Sequence, residues 1–257
     1  MHSDTFTQGL NPEQRDAVLH TDGPLLVVAG AGSGKTTVIT RRVARLIAEG
    51  HADADGILGV TFTNKAASEM RERVAKIVGM EEAKRVTLST FHSFCLRVLR
   101  EHIERLGYRS NFSISSEGDA YTLLRRVMSD LDGINESLSA SMLRERISMQ
   151  KGAEDFAEPE NAGDEKGDKY ATWFPEVYTR YESALRAANA LDFDDLLRLT
   201  VKLWREHPDL LDVYRERYRF VLVDEYQDTN AIQYAMLRML ADGHKNICAV
   251  GDDDQAI

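Results

Sequence analysis

The sequence predicts an α/β protein: a parallel sheet interrupted by a mostly helical insertion. Three observations predict it. Apolar runs alternate with amphipathic helical stretches from Pro24 to Ser89. Helical periodicity then dominates from Phe91 to Leu203. The alternation returns from Arg219 onward. Strands that alternate with helices of this length build parallel sheets.

The elements follow in order. Pro24 to Ala29 is an apolar run leading into glycines and reads as a buried strand. Lys35 to Glu49 carries Val38, Ile39, Val43, Leu46 and Ile47 as a helical stripe, and Gly50 ends it. Ile57 to Thr63 is a second strand. Asn64 to Val78 is a helix with Ala67, Met70, Val74 and Ile77 on one face, and Val86 to Ser89 is a third short strand. Ser93 to Leu106, Glu117 to Leu131, Ser139 to Gln150 and Thr172 to Asn189 read as helices. The stretch near 152–169 is rich in Glu, Asp, Gly and Pro and reads as a mobile loop. Arg219 to Val223 is a strand ending in Asp224 and Glu225. Ala231 to Leu240 is a helix, and Asn246 to Val250 a last strand. Trp173, Trp204 and the methionines fall in apolar stripes and read as core.

Composition restricts the function classes. The chain has 257 residues, 43% hydrophobic and 29% charged, as in ordinary globular proteins. No run of about 18 apolar residues suggests a membrane span. Met1 to Leu10 lacks the pattern of a secretory signal, so a cytoplasmic location is expected. Cys95 and Cys248 have no metal-ligand spacing and read as buried thiols. The net charge of -10 argues weakly against nucleic acid, but part of the acid sits between Glu154 and Asp168.

Ala29 to Thr36 reads AGAGSGKT. A phosphate loop asks for Gly, four residues, then Gly-Lys-Ser/Thr. Gly34, Lys35 and Thr36 fit. Ala29 stands where the first glycine is expected, with Gly30, Ala31, Gly32 and Ser33 following. Such loops turn backbone N–H groups onto phosphate oxygens, and the next helix aims its positive end at the same anion. Lys35 is placed to reach the β- and γ-phosphates, and the Thr36 hydroxyl to hold magnesium. The bland alternative is a glycine-rich turn between a strand and a helix.

Val223 to Asp228 reads VDEYQD after an apolar strand. Acids at that end of a parallel strand face the ligand crevice. Asp224 suits magnesium, and Glu225 suits orienting and deprotonating an attacking water. Two surface acids capping a helix are the plain alternative. Gly251 to Gln255 reads GDDDQ, and Gln255 is able to hydrogen-bond a γ-phosphate or water.

In this order, AGAGSGKT, VDEYQDT and VGDDDQ closely resemble the UvrD/Rep/PcrA-type superfamily 1 DNA helicases, in texture closest to Rep. Four further segments agree: LNPEQ (Leu10 to Gln14), VTFTNKAA (Val60 to Ala67), STFHSF (Ser89 to Phe94) and LDFDDLL (Leu191 to Leu197). The resemblance covers nearly all the chain outside the loop near 152–169. It implies a RecA-like ATP-binding domain, 1A, at 1–91 and 197–257, and a helical insertion, 1B, at 92–196. It implies ATP and magnesium, single-stranded DNA and duplex junctions as partners, and translocation and unwinding from 3′ to 5′. It implies that Gln14 recognises adenine, that the loop from Ala29 through Thr37 holds the nucleotide, and that Lys35, Glu225 and Gln255 are catalytic. Thr37 departs from the pattern, because many relatives carry arginine there to help hold the nucleotide. Relatives also continue past the position of Ile257, so the chain is expected to be the front part of a longer protein.

The resemblance also implies a DNA groove. Phe62 matches a ring that stacks on a base, and Thr63, Asn64, Thr90 and His92 match hydrogen-bond donors to the strand. Without the resemblance Phe62 reads as core and His92 as structural. Arg71, Arg73, Arg97 and Arg100 read as either groove cations or solvated helix faces. Two other functions are weighed: a nuclease using Asp224 and Glu225 with metals, and a nucleotide-switched DNA-binding module.

Overall fold

A computed structural model describes residues 4–30, 32–131, 138–154 and 170–252. The chain divides into two compact units, Met1–Phe94 with His207–Ile257, and Cys95–Glu206. The sequence reading sets the second crossing at 196/197. The helix Phe193–Glu206 is continuous there, and the crossing comes after its last turn.

The described elements are α1 (Asp4–Thr7), α2 (Pro12–Leu19), β1 (Leu25–Val28), α3 (Lys35–Ala48), β2 (Ile57–Thr61), α4 (Asn64–Val78), α5 (Met80–Arg85), β3 (Thr87–Thr90) and α6 (Phe91–His102). There follow β4 (Ser113–Ile114), α7 (Glu117–Ser129), α8 (Ala140–Gly152), α9 (Phe174–Ala187), β5 (Ala190–Leu191) and α10 (Phe193–Glu206). The chain closes with α11 (Pro208–Arg217), β6 (Phe220–Val223), α12 (Ala231–Ala241) and β7 (Ile247–Gly251).

In the first unit, five strands pair in the order β1-β7-β6-β2-β3, all parallel. β2, β3 and β6 are buried throughout, which suits apolar runs with no alternation. α3 and α4 bury Ile39, Val43, Leu46, Met70 and Val74 against Ile57, Leu88, Leu222 and Val250. Burying each such side chain contributes about 1.5–3 kcal/mol. Thr63 starts α4 by accepting the Ala66 N–H at 3.1 Å. α2 and α3 are tied by arginine: Arg42 donates to Ala17 O at 3.1 Å and Arg45 to Leu19 O at 2.8 Å. These bonds serve carbonyls at the end of α2 that have no helical partner.

β1 departs from its reading as a buried strand. It lies at the sheet edge, its side chains alternate in burial, and Leu26 and Val28 are 62% and 52% exposed.

In the second unit, α7, α8 and α9 pack Leu124, Leu143, Ile147, Val177, Tyr181 and Leu185 together. α8 buries Ala140, Leu143, Ile147 and Lys151, a single helical stripe. Met142 and Met149 fall off that stripe and are exposed, as is Met80 at the start of α5. The core reading of methionines therefore fails at these three, whereas Met70, Met236 and Trp204 are buried. Positions 155–169 of the expected loop lie outside the described residues; Gly152 ends α8. Both cysteines are buried and free, and burial pushes the thiols up, to about 12 for Cys95 and about 11 for Cys248. Among the described residues no helix is long and apolar enough to cross a membrane.

Candidate functional site

The strands that precede the three motifs are neighbours in the sheet: β1, β7 and β6. Their C-terminal ends therefore bring 29–37, 251–252 and 224–228 to one rim, where open α/β sheets hold ligands. The ladder runs one step past β1, with Ala29 N–H donating to Gly251 O at 2.9 Å.

The glycine loop turns on positive φ. Gly32 sits at φ 72 and Gly34 at φ 90. A Cβ on Gly34 would also stand 3.0 Å from the Gln14 amide nitrogen. α3 starts right after this turn with no side chain capping its N-terminus. An uncapped helix start presents N–H groups to an anion.

Lys35 is buried. Its ammonium stands 3.4 Å from Asp252 Oδ2 and 3.7 Å from Glu225 Oε2. Gln227 joins the two acidic ends. It donates to Glu225 Oε2 at 2.8 Å and accepts the Asp252 N–H at 3.0 Å. Glu225 is half-exposed at φ 53, a left-handed conformation costly for a side chain of this kind. Asp224 is buried, and its Oδ1 accepts the Glu225 N–H at 3.1 Å. Burial, and then the neighbouring Glu225 charge, push its carboxyl up to about 6. Gly32, Gly34, Lys35, Thr36, Thr37, Arg73 and Glu225 line a pocket of about 310 Å³. A cavity elsewhere in this unit, of about 530 Å³ between Asp53, Arg217 and Asn246, is larger but has none of these motif residues on its wall.

Gln14 contacts the loop directly. Its Nε2 donates to Ser33 O at 2.7 Å, and its Oε1 accepts the Asn11 N–H at 3.1 Å. Both ends of the amide are thus engaged, by the loop and by the cap of α2. Ala31 and Gln255 lie outside the described residues.

The residues matched to DNA contacts sit at the ends of β2 and β3, which pair Thr61 with Thr90. Phe62 is half-buried, with its ring 5.5 Å from that of Phe91. Thr63 spends its hydroxyl on the α4 cap. Thr90 is buried, donates to Ser93 Oγ at 2.8 Å and accepts the Ser93 N–H at 3.1 Å. Asn64 is exposed at the first turn of α4, and His92 is half-buried in α6. The structure brings the five together, and two of the hydroxyls already serve helix starts.

A sequence profile of the UvrD/REP helicase N-terminal domain matches residues 10–257. The chain belongs to that family. It is 42% identical over 99% of its length to the ATP-dependent DNA helicase PcrA of Bacillus subtilis, of which it spans 34%. It is 46% identical over 99% of its length to the ATP-dependent DNA helicase UvrD1 of Mycobacterium tuberculosis, again spanning 34%. PcrA of Staphylococcus aureus is 41% identical over 96% of this chain, which spans 34% of it. The chain thus covers about a third of the length of these curated relatives.

Within this UvrD/REP helicase domain, sequence reasoning missed three groups. Gln227 lay in VDEYQD, but nothing in the string says that its amide reaches β7. Asp252 lay in GDDDQ and read as part of a turn, yet it is buried against Lys35. Arg73 read as either a groove cation or a solvated helix face, and it lines the pocket. Two of its companions do structural work: Arg71 donates to Leu88 O, and Arg100 to Phe112 O at 2.6 Å.

Proposed function

We propose that this domain supplies the ATP- and magnesium-binding part of a motor in which hydrolysis drives 3′ to 5′ movement on single-stranded DNA and separation of the duplex, and that by itself it does not unwind. The observation that carries the reading is Lys35, buried between Glu225 and Asp252 at the ends of three adjacent strands. Without nucleotide, the ammonium neutralises carboxylates. A triphosphate would draw Lys35 to its phosphate oxygens and release Glu225 from the ammonium. Unit Met1–Phe94 with His207–Ile257 is then the RecA-like domain 1A, and unit Cys95–Glu206 the insertion 1B.

The donor set suits magnesium. It takes one or two carboxylates together with substrate phosphates, not a dedicated protein cage. Asp224 offers one buried carboxylate, held near 6 by burial and by Glu225, that a divalent cation would relieve, and Thr36 offers a hydroxyl. When bound, the cation would supply charge neutralisation for the phosphates, held by Asp224 and Thr36. Among the described residues no group of three or more His, Cys, Asp or Glu side chains is placed to hold a metal. Glu225 orients the attacking water and takes its proton, with Gln227 steadying its carboxylate. Gln255 hydrogen-bonds the γ-phosphate or water in this reading. Gln14 keeps one Nε2–H and one Oε1 lone pair beyond its bonds to Ser33 and Asn11, and these serve adenine in this reading. Phe62 stacks on a base, with Thr63, Asn64, Thr90 and His92 alongside.

ATP turnover with and without single-stranded DNA tests this. Wild type is expected to hydrolyse ATP faster with DNA, and Lys35→Ala to lose that turnover while keeping its fold. Nucleotide binding with no DNA-dependent turnover would support the switched binding module instead. DNA cleavage without ATP would support the nuclease.

A further inference from the structure

β2 and β3 run parallel, and the last residues they pair are Thr61 and Thr90. Phe62 and Phe91 are the next residue on each chain, so the register brings them side by side. Their rings meet, with centroids 5.5 Å apart and planes tilted by 55°. The two rings are held differently. Phe91 is 1% exposed and opens α6. Thr90 fixes that helix start, accepting the Ser93 N–H at 3.1 Å and donating to Ser93 Oγ at 2.8 Å. Phe62 is half-buried, between the end of β2 and the α4 cap at Thr63. An immobile ring thus lies against a partly free one.

A ring that stacks on a base must be held in one rotamer, and binding is weaker when that ordering is left to the binding step. A tilted contact with a fixed ring favours one orientation, because the positive edge of one ring prefers the negative face of the other. We infer that Phe91 is a positioning residue for Phe62: its buried ring holds the Phe62 ring in the orientation on which a base of single-stranded DNA stacks. The inference rests on the stacking reading of Phe62 above and extends it to a residue that makes no DNA contact of its own.

The consequence is an affinity carried by a buried residue. An aromatic pair contributes, beyond its buried area, an amount that corresponds to about two- to tenfold in affinity. Leucine at 91 keeps an apolar side chain in the core and removes the ring contact.

Fluorescence titrations with single-stranded oligonucleotides carrying 2-aminopurine at successive positions test it. The proteins compared are wild type, Phe62→Ala, Phe91→Leu, Phe91→Met and the double variant of Phe62→Ala with Phe91→Leu. Thermal melts confirm that each is folded at the titration temperature. If Phe91→Leu is not, Phe91→Met, closer in volume to phenylalanine, is read in its place by the same criteria. Phe91→Leu is expected to weaken DNA about fivefold and to reduce the quenching of the stacked 2-aminopurine. Phe62→Ala is expected to weaken DNA about tenfold. With Phe62→Ala already present, adding Phe91→Leu should change affinity by less than about twofold, since no ring is left to position. Wild-type affinity and quenching in Phe91→Leu, beside a weakened Phe62→Ala, overturn the role of Phe91. Equal losses from Phe91→Leu with and without the Phe62 ring also overturn it, because Phe91 would then act through the packing of α6. Phe62→Ala binding DNA as wild type does would overturn the stacking reading itself, and this inference with it, an outcome distinct from a failure of Phe91 alone.

Discussion

Replacing Lys151 with methionine removes an ammonium that meets three buried or half-buried acids of the helical unit. Lys151 is fully buried on α8. Its ammonium meets Glu182 Oε1 at 2.6 Å, Asp195 Oδ1 at 2.8 Å and Asp192 Oδ2 at 2.9 Å. Asp192 and Asp195 exchange backbone bonds at the start of α10, at 3.0 and 3.1 Å, and Tyr181 donates to Asp192 at 3.0 Å. One ammonium therefore joins α8, α9 and α10. Methionine fills a similar volume, so the cavity term stays below about 1.5 kcal/mol. Breaking a buried charge cluster by removing one partner costs about 3–5 kcal/mol. That is a large share of the roughly 5–15 kcal/mol that holds a domain.

The pH dependence identifies the cause. Burial pushes Asp195 up to about 7 against the pull of Lys151, while Asp192, also buried, is held below its usual value by Lys151. Without Lys151 both carboxyls rise. Above the raised values, which for Asp195 lie above about 7, they are ionised with Arg144 at 4.0 Å from Asp192 and Arg198 at 3.9 Å from Asp195 left beside them, and the variant is at its weakest. As pH falls toward about 5, protons take the place of the ammonium, and the deficit shrinks. Urea denaturation of wild type and variant at about pH 8 and about pH 5 measures this. A deficit that stays constant with pH, or a variant as stable as wild type at about pH 8, would refute the reasoning.

Glu225→Gln keeps the side-chain shape and removes the base; nucleotide affinity should change little while single-turnover hydrolysis falls by at least about a hundredfold. Gly251→Ala puts a Cβ 2.8 Å from Gln227 Oε1, so Gln227 must leave Asp252 and Glu225. Turnover should then drop about tenfold, the low end for an unseated base, with nucleotide affinity nearly unchanged in a titration. Phe62→Ala should weaken single-stranded DNA by about tenfold if the ring stacks on a base, as filter binding reports. A loss of melting temperature with DNA affinity intact would make it a core residue instead. Thr90→Val, which loses the bonds to Ser93, should cost about 1 kcal/mol of stability and leave the salt dependence of DNA binding unchanged.

Much of this was legible because parallel strands declare themselves. Continuous apolar runs give β2, β3 and β6, and motif residues at strand ends are gathered by topology alone. Other features depend on partners distant in sequence. PLLVVA has no alternation, so it cannot say that Leu26 and Val28 face outward on an edge strand. The burial of Lys151 comes from Glu182, Asp192 and Asp195, which lie 31 to 44 residues away in sequence. β4 and β5 pair only two residues each, too few for any periodicity. α10 was legible and overlooked: Leu196, Leu199, Thr200 and Leu203 mark a helical stripe, hidden behind attention to its opening motif. Pro208 at the first turn of α11 was a start signal of the same kind.

The nucleotide residues and the candidate DNA residues leave the sheet side by side. β6 and β2 pair Val223 with Val60, and the ladder extends once more as Asp224 N–H donates to Val60 O at 3.0 Å. Phe62 follows two residues after Val60 on the same strand end. β2 and β6 are bonded on both sides, so sliding either strand sacrifices several ladder bonds, each contributing about 1 kcal/mol. A response to nucleotide therefore does not run through the register of the sheet. It runs through what lies past the ladder: the left-handed turn at Glu225 and the Gln227 bridge from Glu225 to Asp252. Rotating that turn breaks no ladder bond and moves the base, the bridge and the start of the next segment together. Hydrogen exchange should accordingly show nucleotide-dependent protection changes at 225–229 and not at Val60 or Val223. Equal changes at all of these amides would mean that the sheet itself yields.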